Sequence, residues 1–376
     1  MKSVTHLLDE YKCFPFPLRS VRIPTVLRAP HPGTNLESFP RRIPMRERHQ
    51  PFLRLLFLSL SLLPFLSCSS AHNADERYFL VVANLKVPYW QTAQAGFMQM
   101  AVQWKVRADF VGPDTYDPQA QLEEFRKAVQ AKPSGILVAP ADPKLLKDDI
   151  DKAIAAGIPV LTMDSDAPSS KRLFFIGTNN YQAGFMGGQR LAKELQEKGN
   201  VVVFTMPEQN NLQERLRGYR DALASHPQIK ITQIVDIKGD PRVAFDTATQ
   251  LLGKDKDKVN AFVCLEAQAG KEIATVLSQN GIKGKVVIAM DTDADTLDWV
   301  KKGVIAATIS QKPYTMANFG LRMLDNLYHH KLAVLDKNWA DDSFAPLPAF
   351  VDTGSSLVDK TNVDAFQTAQ SSATQK

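Results

Sequence analysis

The chain has 376 residues, 44% hydrophobic and 23% charged, an ordinary globular composition with length for about two domains. Its net charge of +5 is uneven: residues 1–67 carry 10 Lys+Arg against 4 Asp+Glu, which leaves 35 against 36, or −1, for the rest. No basic surface remains to support nucleic-acid binding, and three cysteines without metal-ligand spacing offer neither a disulfide framework nor a metal site.

Residues 1–44 hold seven prolines, no period and no repeat. They read as a spurious extension ahead of a start at Met45, or as a disordered arm. Residues 45–68 read as a signal peptide: Arg46, Arg48 and Arg54 accompany the apolar run "PFLRLLFLSLSLLPFLS", and small residues follow. Pro64 and the modest length argue against a stable membrane span. The segment "LSCSS" resembles a lipoprotein cleavage site with Cys68 as the lipidated residue. The alternative is ordinary cleavage near "SAHNA".

From Tyr78 onward, unbroken apolar runs alternate with amphipathic segments. The expected order is strand 78–84, helix 92–104, strand 106–112, helix 118–131, strand 134–140, helix 143–157, and strands 158–164 and 172–178. The pattern then resets near Asn179. Helices at 181–197, 211–225, 241–253, 268–279 and 293–301 alternate with strands at 200–206, 230–237, 260–265, 284–290 and 304–310. Such alternation predicts parallel sheets covered on both faces, and the reset predicts two doubly wound α/β lobes. The tail 365–376 reads as disordered. Cys264, alone in an apolar run, reads as a buried small hydrophobe, and "GFMGGQ" (184–189) as close helix packing.

Ligands in such sheets lie beyond the carboxyl ends of strands, so the residues found there carry the functional expectation. Tyr89 and Trp90 stand before the first helix in a polar loop, and aromatic faces suit the C–H surface of a sugar ring. Asp164 follows the apolar run 158–163 and Asp291 follows 284–290. A lone aspartate there commonly caps a helix, but two, one per lobe, also suit a grip on neighbouring hydroxyls. Glu266, Arg215 and Gln311 complete the polar set. It contains no nucleophile–base pair, metal cluster or phosphate loop, and the histidines, with His329 and His330 adjacent on a helix end, make no constellation.

The segments "IPVLTMDSDA", "FIGTNNYQAGFMGGQRLAKEL", "QERLRGYRDAL", "VVIAMDTDADTLDWVKKGVIAATISQKPYTMANFG" and "FVDTGSSLVDKTNVD", in this order, resemble the periplasmic sugar-binding proteins of the ribose-binding type. These are the type I solute receptors of ABC transporters, which share their fold with LacI-type effector domains. The resemblance spans about Tyr78 to Asp364. It implies two lobes joined by three crossings near 179, 311 and 341. The first lobe is 77–179 plus 312–340, the second 180–310 plus 341–364.

The same resemblance implies ligand contacts at Tyr89, Trp90, Asp164, Arg215, Asp291 and Gln311, beside Glu266. Gln311 falls where the chain crosses back to the first lobe. Ribose receptors carry Asn where this chain has Val87 and Ala139, a polar residue at Leu265 and Arg at Ser165, so several hydrogen bonds to ribose would be missing. A different sugar, a polyol or another small polar ligand is expected. The implied protein is not an enzyme and has no cofactor. It is a monomeric binding protein of the periplasm or cell envelope, lipid-anchored through Cys68, that delivers its ligand to an ABC permease. Handing the ligand to a chemotaxis protein or sensor kinase is the alternative.

Overall fold

The computed structural model describes residues 72–374, which fall in one compact unit. Residues 1–44, the expected signal segment 45–68 and its Cys68 lie outside the described residues. The first sheet contains β1 (Arg77–Val81), β2 (Arg107–Val111), β3 (Gly135–Val138), β4 (Val160–Met163), β5 (Phe175–Gly177) and β11 (Phe350–Asp352). The second contains β6 (Lys198–Thr205), β7 (Gln228–Asp236), β8 (Ala261–Cys264), β9 (Val286–Met290), β10 (Ala307–Ser310) and β12 (Ser356–Asp359).

Their spatial orders are the same: β2-β1-β3-β4-β5-β11 in one and β7-β6-β8-β9-β10-β12 in the other. All pairings are parallel except β10 with β12, which is antiparallel. In each sheet the order reverses at the first strand of its lobe, which makes the carboxyl ends there the natural ligand crevice.

The helices are α1 (Pro88–Trp104), α2 (Pro118–Gln130), α3 (Pro143–Ala155), α4 (Asn180–Glu194), α5 (Asn210–Leu223), α6 (Pro241–Lys254), α7 (Ala269–Gln279), α8 (Ala294–Lys302), α9 (Pro313–His329) and α10 (Val363–Thr374). Local chemistry sets their starts. An Asp-Pro pair opens α2, α3 and α6, with Asp117, Asp142 and Asp240 accepting from the first-turn amides. The aspartate satisfies orphan N–H groups, and proline at the first helical position costs nothing because its missing N–H had no partner there. The same proline signal starts α1 at Pro88, earlier than 92, so Tyr89 and Trp90 lie in its first turn rather than in a loop before it.

The "GFMGGQ" glycines let α4 and α5 touch backbone to backbone. A Cβ on Gly184 would come 2.0 Å from the carbonyl oxygen of Arg215, and one on Gly188 2.6 Å from the Ala222 Cβ. Cys264 is buried, as its apolar surroundings suggested.

The chain passes between lobes after β5, after β10 and between β11 and β12. Two boundaries differ from expectation. The third crossing lies at residues 353–355, not near 341: β11 pairs with β5, Phe350 stacks on Phe175 at 5.2 Å, and Leu347 and Val351 pack on the first lobe's core. A three-residue edge strand after an irregular segment leaves too short an apolar run to recognise. The tail is also not disordered, because residues through Thr374 form α10. Val363 is buried and Phe366 packs beside it on the second lobe's core. Two apolar residues three apart suffice to dock an otherwise polar helix.

Candidate functional site

The residues expected at the strand ends converge between the lobes. Asp164 follows β4 and Asp291 follows β9, the fourth strand of each lobe. Both adopt left-handed backbone, with φ of 62° and 69°, and both are buried. Aspartate tolerates this region better than most residues, and the matched distortion turns each carboxylate into the cleft. Neither caps a helix; the cap of α8 is Asp293 instead. Asp164 accepts from the Tyr89 hydroxyl at 2.6 Å and, across the cleft, from Asn211 Nδ2 at 3.3 Å. Asp291 accepts from Gln311 Nε2 at 3.0 Å.

Arg215 sits on α5 where the Gly184 contact presses that helix against α4. Its guanidinium donates to Asn180 Oδ1 at 2.8 Å, to the Leu265 carbonyl at 2.7 Å and to Gln311 Oε1 at 2.7 Å. Gln311 Oε1 also accepts from Thr178 at 2.8 Å. One glutamine therefore ties the first two crossings to the arginine and to Asp291, which explains a glutamine at the end of a core strand. Glu266 spends both oxygens on the amides of Gln268 and Ala269 at the start of α7, yet it borders the same cavity. Trp90 is buried and meets Tyr89 edge-on at 4.9 Å.

Three buried carboxylates thus surround one guanidinium. Burial pushes Asp164 and Glu266 above the ordinary carboxyl range against the pull of Arg215 and their hydrogen bonds. Asp291 is pushed up to about 7, mainly by burial, with Asp164 and Glu266 adding to it and Arg215 and Gln311 opposing it. Burial, then the charges of Asp164 and Asp291, drives the Tyr89 phenol well above its usual value. It therefore stays neutral and donates. The chemical capacity of the site is acceptance of several hydroxyl donors beside aromatic surfaces.

A cavity of about 70 Å³ lies among these residues, bordered also by Tyr116, Gln209 and Gly239. It shares Tyr89, Asp291 and Gln311 with a larger cavity of about 740 Å³ on the side of residues 312–315. The lobes touch around it. Gln209 Nε2 lies 3.3 Å from the Tyr116 hydroxyl, Lys144 pairs with Glu208 at 3.8 Å, and a Cβ on Gly239 would fall 2.3 Å from that of Tyr116. Gly239, at φ 70°, is a glycine by necessity. Asn211, Tyr116 and Gln209 were not foreseen. They lie in loops and a first helical turn, where no periodicity reveals which way a side chain faces.

The profile of the periplasmic binding protein domain matches residues 78–331. The chain belongs to this family. A solved sugar-binding protein of a sugar ABC transporter from Bacillus halodurans is 34% identical, with a TM-score of 0.67, and the match covers 78% of this chain and 100% of that one. An arabinose-binding protein from Geobacillus stearothermophilus is also 34% identical, with a TM-score of 0.64 over 78% of this chain and 99% of its own. The ribose import binding protein of Haemophilus influenzae is 23% identical over 276 residues, 73% of this chain and 93% of the relative. The two parallel-sheet lobes are those of a type I periplasmic binding protein. Among the described residues, no helix is long and apolar enough to cross a membrane.

Proposed function

We propose that this periplasmic binding protein captures a small, neutral, polyhydroxylated ligand, a sugar, between its lobes and delivers it to an ABC permease. The observation that carries the reading is the pair Asp164 and Asp291, one from each lobe, buried in matching left-handed backbone and facing one cavity. Each carboxylate accepts hydrogen bonds from ligand hydroxyls, Tyr89 and Trp90 cover a C–H face of the ring, and Arg215 and Gln311 hold the hinge side. A ligand that bridges both lobes favours the closed state by its differential affinity.

The charge balance narrows the class. With three carboxylates around one guanidinium, phosphorylated or acidic sugars are repelled, which is specificity by a repulsive element. The absence of asparagine at Val87 and Ala139 argues for a sugar other than ribose. Binding without catalysis needs nothing beyond these grips. Lipidation at Cys68 would hold the receptor at the membrane near its permease; Cys68→Ala should then release it into the soluble fraction, and retention of the variant would refute the anchor.

The test is calorimetric titration of pentoses, hexoses and polyols into the protein. One neutral sugar should bind, and Asp164→Ala and Asp291→Ala should each abolish it. Binding only of anionic ligands would overturn the proposal.

A further inference from the structure

At the end of the first lobe remote from the cleft, four side chains from opposite ends of the chain meet. The remoteness follows from α9, which starts at the hinge and whose 17 residues span about 25 Å. His72 Nε2 lies 3.1 Å from Asp325 Oδ2 across 253 positions of sequence. His329 Nε2 lies 3.1 Å from Glu76 Oε2 and 3.6 Å from Asp325 Oδ1. Two of the seven histidines, which the sequence reading left without a constellation, are therefore brought together, and His72, Asp325 and His329 each offer a ligand atom within 4.8 Å of the others. We propose that His72, His329, Asp325 and Glu76 bind a divalent transition metal ion, with zinc the best fit to the donor set.

Geometry and charge support this independently. Tetrahedral zinc with bonds of about 2.0–2.2 Å places neighbouring donor atoms about 3.3 Å apart; the His72–Asp325, His329–Glu76 and His329–Asp325 contacts lie at 3.1–3.6 Å, and small side-chain shifts would bring one oxygen of each carboxylate and both imidazoles around one ion. Two imidazoles with two carboxylates suit zinc among the common divalent ions. Glu76 and Asp325 are both buried, and among the described residues neither pairs with a lysine or arginine; their ionic partners are histidines. A divalent cation neutralises two buried carboxylates that otherwise share one site.

The surroundings hold the donors in place, as the outer sphere of a metal site does. The buried Tyr78 hydroxyl donates to Asp325 at 3.1 Å and lies 3.4 Å from Glu76 Oε2. The Asn73 amide donates to the other Glu76 oxygen at 2.7 Å. The His72 ring stacks on Trp104 at 4.7 Å. The ion would staple residues 72–76, ahead of β1, to the last turn of α9.

The test uses the untagged chain, expressed at full length, purified from whichever cell fraction holds it and stripped with EDTA. Zinc chloride is titrated calorimetrically, and bound metal is counted after desalting. One zinc per chain is expected, with affinity at least about 100-fold weaker in both His72→Gln and His329→Gln, beyond the 10–100-fold usual for changes outside the ligand set. Far-UV circular dichroism checks that both variants fold. Cobalt(II) loading of the unaltered chain should give the visible bands of tetrahedral coordination, which does not depend on any variant. No uptake at micromolar zinc, or uptake that survives either substitution, would overturn the site.

Discussion

Asp291→Asn should stabilise the ligand-free protein while weakening its grip on the ligand. The Asp291 carboxyl moves from its ordinary 3.8 to about 7 in the fold. The folded protein therefore holds this proton more tightly than the unfolded chain. Folding takes up a proton between about pH 4 and 7, and stability falls as pH rises across that window. At 1.36 kcal/mol per pKa unit, the ionised group costs the fold about 4 kcal/mol above pH 7. Asparagine keeps the size, accepts from Gln311 and tolerates left-handed backbone, while removing that charge. At pH 8 the variant should melt about 5–8 °C higher, at about 2 °C per kcal/mol for a chain of this size. Near pH 4 the two proteins should coincide. The assay is calorimetric melting of both from pH 4 to 8 without ligand. A variant less stable at pH 8, or a difference independent of pH, would refute the reasoning. Ligand binding should weaken about 10–150-fold, the worth of one charge-assisted hydrogen bond.

The same charge balance makes Arg215→Met destabilising by about 3–5 kcal/mol at pH 8, since it strips the counter-charge from three buried carboxylates; urea melts should show the loss shrinking toward pH 4. Gln311→Leu leaves Arg215 and Thr178 without a shared acceptor and should cost about 2–3 kcal/mol in urea unfolding. Gly184→Ala drives a Cβ to 2.0 Å from the Arg215 carbonyl; it should lower stability by about 1–3 kcal/mol and weaken ligand binding, because α5 carries Arg215. Sugar affinity in the unaltered protein should rise up to about tenfold between pH 6 and 8, since ligand hydroxyls favour the ionised Asp291 and half-ionisation lies near pH 7.

Much of this was legible in the sequence because buried parallel strands are continuous apolar runs with abrupt polar ends. Asp164, Glu266, Asp291 and Gln311 are those ends, and the topology that gathers them follows from the alternation alone. Arg215 was harder, since it sits within a helix and is buried only because the glycines of α4 admit α5. What stayed hidden depends on contacts between distant segments. Strand β11 has three residues and is defined by its neighbour β5. Helix α10 carries only two large apolar side chains, Val363 and Phe366. The Asn211 amide acquires its meaning only when the lobes face each other, and His72 only when α9 returns to the start of β1.

The most direct measurement is a thermal-shift screen of the protein and of Asp164→Ala against pentoses, hexoses, polyols, nucleosides and amino acids. A sugar at 100-fold its dissociation constant should stabilise the unaltered protein by about 2.7 kcal/mol and leave Asp164→Ala unmoved. A shift from an amino acid or an acidic compound with none from any sugar, or a sugar shift that persists in Asp164→Ala, would contradict a sugar held between these two lobes.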